Sequence, residues 1–432
     1  MERIRSSRAF ASYLLLDVAM ESAFRSVQLY VTWWFLQSHD MTVGLSVTLA
    51  IVSFFNTIFI PISGTWSNKV PLPNYIARTV HLGCFTLVSL LIALRLLEDT
   101  NYSLWVLIIL MVFLGIATAL LRPLSMKVIN GLFQGEVAIS KAYQTKYSLA
   151  ILNILLGPTL SGFMIEAYGG KAPLVCAFLF CGLAWLGATI FKNTSLSCFG
   201  KFSVYKATRG GWMTELIRGF QLSFYVKEER AIAIMSILLN CFFSPFMFLL
   251  LPAVMIQLHA YTLREVGLIE LCLGVGIVIS CTDHVTSFVK RKLSLYHACL
   301  LYITMLTGSF FLFSMLSNVL LLCFAGAIMG AALNSFNVVV NARRLHCIPT
   351  SHQAIMEGCF VFLCTAAVPV GFILTGTLMR IFSSQKVIGI YASICVSPVL
   401  FLYASVSAKR MFQPNVQADY YAKQYPELFH CL

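Results

Sequence analysis

The sequence predicts an all-α membrane protein of twelve transmembrane helices in two pseudo-symmetric six-helix bundles. Three observations predict it. Of 432 residues, 59% are hydrophobic and 11% charged, and the mean hydropathy is +0.83, so there is too little polar surface to dissolve as globular domains. Apolar runs of the roughly 20 residues that span a bilayer recur along the whole chain. The longest polar interval, Lys192 to Arg230, divides those runs six and six.

In chain order, spans are expected to open near positions 11, 43, 75, 104, 142 and 172, and again near 231, 264, 294, 318, 353 and 387. The expected organisation is therefore a bundle over 1–191, a linker over 192–230, a second bundle over 231–408 and a tail over 409–432. Met1 to Met20 opens like a signal peptide, with Arg3, Arg5 and Arg8 before an apolar run, but Asp17 and Glu21 interrupt that run and a retained first span is expected. In the linker, Trp212, Leu216, Ile217, Phe220 and Phe224 recur at helical spacing beside Arg209, Arg218 and Lys227. That spacing predicts an amphipathic helix resting on lipid headgroups. The tail is polar and aromatic and suggests no role by composition.

The two halves echo each other. Thr42-Val43-Gly44-Leu45 opens the second span and Glu265-Val266-Gly267-Leu268 the eighth. Gly115 and Gly330 sit near the ends of the fourth and tenth, and Gly157-Pro158 with Gly162 is loosely matched by Pro369, Gly371 and Gly376. Echoes in matching order fit a parallel duplication about an axis along the membrane normal.

A net charge of +13 invites a nucleic-acid reading, but the charge alternates by loop. With both termini placed in the cytoplasm, that side takes 22 Lys and Arg residues, including Lys290, Arg291, Lys292, Arg343 and Arg344. The opposite side takes five: Arg95, Lys171, Arg264, Arg380 and Lys386. Orientation and anionic lipid headgroups account for the basic balance, and no nucleic-acid partner is expected. The 14 cysteines include no Cys-x-x-Cys pair and read as small apolar residues. His346, Cys347 and His352 share a short loop without the fixed turn of a metal site, so no metal and no cofactor is expected.

The first span carries Asp17, Glu21 and Arg25. Steps of four place the three side chains within a sector about 80° wide on one helix face. Facing lipid, each would cost roughly 2.5–3.5 kcal/mol, so the stripe is expected to face protein or water. Glu21 and Arg25 form an i, i+4 pair in the favourable order, and Asp17 is left over beside a like charge, which favours its protonated form. Asp17 or Glu21 is accordingly expected to bind and release a proton, with Arg25 as counter-charge; a static buried network is the competing reading. Trp33 and Trp34 are expected to join an interfacial aromatic belt.

Val43 to Leu49, Gly157-Pro158-x-x-x-Gly162 and the Arg209-to-Phe220 linker around Trp212, Glu215 and Gly219 resemble the major facilitator superfamily, in its branch of siderophore (enterobactin) exporters. The resemblance implies the major facilitator fold, a two-bundle transporter with a central cavity. It also implies an inner gate in the loop after the second span, Gly64-Thr65-Trp66-Ser67-Asn68-Lys69-Val70-Pro71. There Gly64 and Lys69 are kept, Asn68 replaces the family's acid, and the downstream basic run is missing. Inner spans would then present Lys146, Glu270 and Glu357 with Asn153, Asn240, Asn334 and Asn337 as neutral hydrogen-bonding groups. Lys146 either attracts an anionic substrate or snorkels to the interface. Glu270 should need a partner, and Glu357 lies near the inner end of its span as a candidate gate.

The chain holds no ATP-binding P-loop, no Gly-x-Ser-x-Gly elbow and no two-histidine helical metal motif, so an enzyme is not expected. Energy would come from an ion gradient, protons being favoured by the buried carboxylates. The expectation is a monomeric, proton-coupled transporter of the bacterial inner membrane that exports a polar anionic metabolite such as a siderophore. Drug or lysophospholipid transport, siderophore import, and a non-transporting sensor or assembly factor remain the alternatives.

Overall fold

A computed structural model describes residues 2–38, 42–67, 70–96, 103–133, 142, 145–146, 149, 160–165, 167–199, 212–258, 263–280, 293–349, 352–413, 416 and 419–429. Among the described residues there are helices and no strand. The chain divides into two units, Met1–Lys206 with Ala260–Gly267, and Ala207–His259 with Leu268–Leu432.

In the first unit α1 (Glu2–Trp33) runs without a Gly or Pro and continues into a π-helical turn, Trp34–Ser38. It is followed by α2 (Thr42–Trp66), α3 (Leu72–Leu96), α4 (Ser103–Leu121), the short α5 (Leu124–Leu132) and α6 (Ala172–Phe199). α6 lies along α1 because Gly187 lets it close on the first helix: a Cβ there would stand 3.0 Å from the backbone N of Leu16 and 3.2 Å from the carbonyl of Ser12. Tyr13 packs on Phe191 at 5.7 Å and seals the same seam. On α3, His81 stacks on Trp185 of α6 at 4.0 Å, and its Nε2 lies 3.3 Å from the Thr189 hydroxyl.

The second unit begins with α7 (Trp212–Tyr225) and α8 (Lys227–Pro245). α8 continues through π-helical Phe246–Leu250, Leu251–Ala253 and π-helical Val254–Leu258. Pro245 and Pro252 each remove a backbone donor from this stretch, and wider turns absorb the loss. Then come α9 (Leu263–Ser280), α10 (Leu295–Met315), α11 (Val319–Cys347), α12 (Gln353–Ile381), α13 (Ser384–Ile394) and α14 (Val396–Ala404). Glycines set the close pairs. A Cβ on Gly276 would strike the Ala327 carbonyl, one on Gly330 the Leu273 carbonyl, and one on Gly371 the Cys241 carbonyl. These are the small-residue contacts expected where two helices approach backbone to backbone in a bilayer. The tail forms α15 (Val406–Met411), α16 (Tyr420–Gln424) and α17 (Pro426–Phe429).

Nine described helices are long and apolar enough to cross a membrane. The other three of the expected twelve have identifiable reasons for falling outside that set. α1 carries the charge stripe, α9 has Arg264, Glu265 and Glu270 within 18 residues, and most of the fifth span lies outside the described residues. The linker differs from expectation: α6 extends to Phe199 and the seventh span starts at Lys227 rather than near 231. α7 also has a protein contact. Phe220 packs edge-on against Phe362 of α12 at 5.5 Å, while Ile217, Phe224 and Tyr225 stay exposed.

Candidate functional site

The stripe on α1 holds the centre of a charge cluster inside the first unit. Glu21 Oε1 accepts from Arg25 Nε at 3.1 Å and lies 3.1 Å from Arg25 Nη2, the expected i, i+4 pair. The same oxygen lies 3.4 Å from Nη2 of Arg122, just beyond the end of α4. Arg25 Nη1 donates to Gln28 Oε1 at 2.8 Å, adding a fourth position to the stripe. Asp17 corrects the expectation. It is not left over beside Glu21, because Lys146 reaches inward and places Nζ 3.5 Å from Asp17 Oδ2. A 16% exposed carboxylate and a 14% exposed ammonium make that contact, so Lys146 does not snorkel away from the bundle.

The cluster thus gathers three cations, Arg25, Arg122 and Lys146, around two carboxylates. Arg122 is its most accessible member, with 34% of its side chain exposed. Two guanidinium groups face Glu21, whereas one ammonium at 3.5 Å faces Asp17. The site is partly exposed and carries one positive charge in excess.

The second unit carries a different cluster, buried and acidic. Arg344 near the end of α11 is fully buried. Its Nε lies 3.1 Å from both carboxylate oxygens of Glu229 on α8, and its Nη2 approaches Oε1 at 2.5 Å. Nη1 donates to Glu357 Oε2 of α12 at 2.9 Å, and the guanidinium lies over the Phe360 ring at 3.5 Å. Tyr421 of the tail donates to Glu229 Oε2 at 3.4 Å. Glu357, expected at a gate, is therefore tied to Arg344.

The remaining expected residues are dispersed. Asn334 is buried and donates to Ser280 Oγ at 2.8 Å, and Asn240 donates to the carbonyl of Ser236 on its own helix at 2.9 Å. Glu270 is buried on α9, and Asn337 is half-buried on α11. Gly64 falls in the last turn of α2. Asn68, Lys69 and Asn153 lie outside the described residues. Sequence reasoning missed Arg122, Arg344, Glu229 and Gln28. Gln28 was findable, since it continues the 17–21–25 face by a step of three. The two arginines count among the basic residues of one side's loops, and Glu229 falls in the linker interval with no role assigned.

The profile of the Major Facilitator Superfamily matches residues 18–356. No curated protein is a significant match to the sequence. Among solved structures, a mutant of the nucleoside transporter NupG superposes with a TM-score of 0.67 at 13% identity, covering 94% of this chain and 100% of that one. A POT family transporter in complex with 5-aminolevulinic acid gives 0.67 at 11% identity, over 94% of this chain and 96% of that one. At these identities the likeness is one of fold.

Proposed function

Because the chain belongs to the Major Facilitator Superfamily and is a multi-pass membrane transporter, we propose that it moves a small polar anion by proton-coupled alternating access, with Asp17 and Lys146 as the coupling pair. The observation that carries this reading is the 3.5 Å contact between those two side chains, within a cluster of three cations and two carboxylates. A proton on Asp17 cancels the charge facing Lys146 and leaves the ammonium to an anionic cargo. Loss of that proton draws the ammonium back. Glu21, held by two guanidinium groups, stays charged and fixes Arg25 and Arg122 in place.

The same contact supports one sign of coupling. If protonation frees the cation that binds the anion, proton and anion bind each other's states favourably, and an inward proton gradient drives uptake. Export of a siderophore, which the sequence resemblance suggests, is the second reading and needs proton and cargo to compete. The bias of basic residues toward one set of loops supports cytoplasmic termini, and the resemblance supports a bacterial inner membrane. A monomer is sufficient for the mechanism.

The test is proton stoichiometry in weakly buffered detergent solution, on adding citrate, 5-aminolevulinate, a catecholate siderophore or a hydroxamate siderophore. Symport predicts proton uptake by the protein on anion binding, and antiport predicts release. Asp17→Asn should abolish the proton signal while keeping anion binding, and Lys146→Gln should weaken binding. Unchanged affinity in Lys146→Gln would remove the pair from the mechanism.

A further inference from the structure

The tail folds back over the Arg344 cluster and is held by contacts of its own. Arg343 Nε donates to the Met411 carbonyl at 2.7 Å, and its Nη2 donates to the carbonyls of Gln413 at 2.5 Å and Val416 at 3.5 Å. The Asp419 amide donates to the His346 carbonyl at 3.2 Å. Tyr421 reaches Glu229, and the Tyr425 hydroxyl donates to Glu228 Oε2 at 2.8 Å. Phe429 stands edge-on to His352 at 5.1 Å. These contacts touch the start of α8, the end of α11 and the residue before α12, the three helix ends that Arg344, Glu229 and Glu357 already join from within.

Two features mark the tail as a unit separable from the bundle. α16 and α17 have five and four residues, too short to persist as helices unless docked. The anchors at the bundle's end combine these polar contacts with the buried side chains of Phe412, Val416, Tyr421 and Phe429, so the tail docks as one small layer of its own. Beneath the tail sits Cys347, fully buried beside Arg343 and the two acids, with its thiol pushed up to about 11 by burial. Burial and Glu228 together push Tyr425 up to about 12, and burial and Glu229 push Tyr421 well above its ordinary value, so both remain hydroxyl donors at any physiological pH.

We propose that the tail, through Phe412, Gln413, Val416 and residues 419–429, is a releasable strap, which opens and recloses as its own unit over the Arg344 cluster and uncovers Cys347 when open. Closed, it binds the ends of α8, α11 and α12 as one body and keeps water from the Glu229–Arg344 pair. Open, it leaves that pair without the Tyr421 hydroxyl and frees the three helix ends to shift. The strap is thus a conformational control on the second unit, set by whatever competes for Arg343 or for the two tyrosine hydroxyls.

The experiment uses the full chain in mild detergent, accessible from both sides, and follows N-ethylmaleimide labelling of Cys347 by mass spectrometry of its peptide, with Cys347→Ala as the blank. Arg343→Gln removes the clamp on three carbonyls and should raise the labelling rate at least tenfold. Tyr421→Phe removes the hydroxyl's contacts with Glu229 Oε2 and Met411 Sδ and should raise it severalfold, which keeps the test alive if the first variant folds poorly. Hydrogen exchange provides the second readout: the Asp419 amide should lose protection in both variants while α10 amides keep theirs. The proposal is overturned if Cys347 labels no faster in the variants. It is equally overturned if strap and α10 amides exchange together, since the tail would then open only with the whole fold.

Discussion

Replacing Glu229 by Gln tests whether the buried cluster of the second unit is a brace. Arg344 and Glu229 are both fully buried, and three of the Arg344 contacts go to the one carboxylate. Removing one partner of such a pair leaves an uncompensated charge and costs about 3–5 kcal/mol. Glu357 remains 2.9 Å from Nη1, and with 22% of its side chain exposed it offers partial compensation, which places the expected loss near the lower bound, about 3 kcal/mol. For a folding unit of about 200 residues, that lowers the melting temperature by roughly 6–12 °C. The assay is thermal melting in detergent of the wild type, Glu229→Gln and the double variant Glu229→Leu with Arg344→Met. Because well-packed apolar residues can replace a buried ion pair without loss, the double variant should melt within a few degrees of the wild type. A single variant that melts like the wild type would refute the reasoning. So would a double variant worse than the single, since the guanidinium would then be needed for more than its partner.

Gly330→Val should destabilise by about 1–3 kcal/mol, because a side chain there meets the Leu273 carbonyl and overpacking forces the backbones apart; an unchanged melting curve would show that α9 and α11 are not locked as described. Arg122→Gln should weaken anion binding severalfold in a direct binding assay while leaving the Glu21–Arg25 pair in place, and full affinity would exclude Arg122 from the cargo path. Burial, with Arg218 nearby, holds His352 below its ordinary imidazole range. Its folded state therefore takes a proton less readily than its unfolded state, and the stability it contributes is present above pH 6.5 and lost as pH falls further. Between pH 7 and 5 the wild type should lose more melting temperature than His352→Gln; equal losses would assign the acid sensitivity to other groups.

The fold was legible because lipid imposes one rule on every span, and composition alone reveals apolar stretches of the required length. The stripe on α1 was legible for the same reason: 17, 21 and 25 share a face whatever the rest of the chain does. Partners were not. Lys146 and Asp17 are 129 positions apart, and only packing decides that the lysine turns inward rather than out to the interface. Arg344 was read as a loop cation because it follows Arg343 at a basic helix end, yet Arg343 clamps the tail while Arg344 is buried against Glu229. Neighbouring arginines on a helix point about 100° apart, and a count of loop charges cannot see that difference.

The two clusters use the same residue types to opposite ends, and water access separates them. In the first unit every charged member keeps some exposure, from 10% at Arg25 to 34% at Arg122, and cations exceed acids by one. Charges so placed can exchange partners at modest expense, because groups that keep some exposure are only partly desolvated. In the second unit Arg344 and Glu229 have no exposure at all. Separating them would strand two bare charges in a dry site, a penalty of several kcal/mol for each ion, which no ordinary cargo contact offsets. In the proposed cycle the first cluster would change state, whereas the second would change only if the proposed strap first admitted water. Under the proposed mechanism, cargo chemistry would fall to Asp17 and Lys146, and Arg344 would hold the helix ends of the second unit.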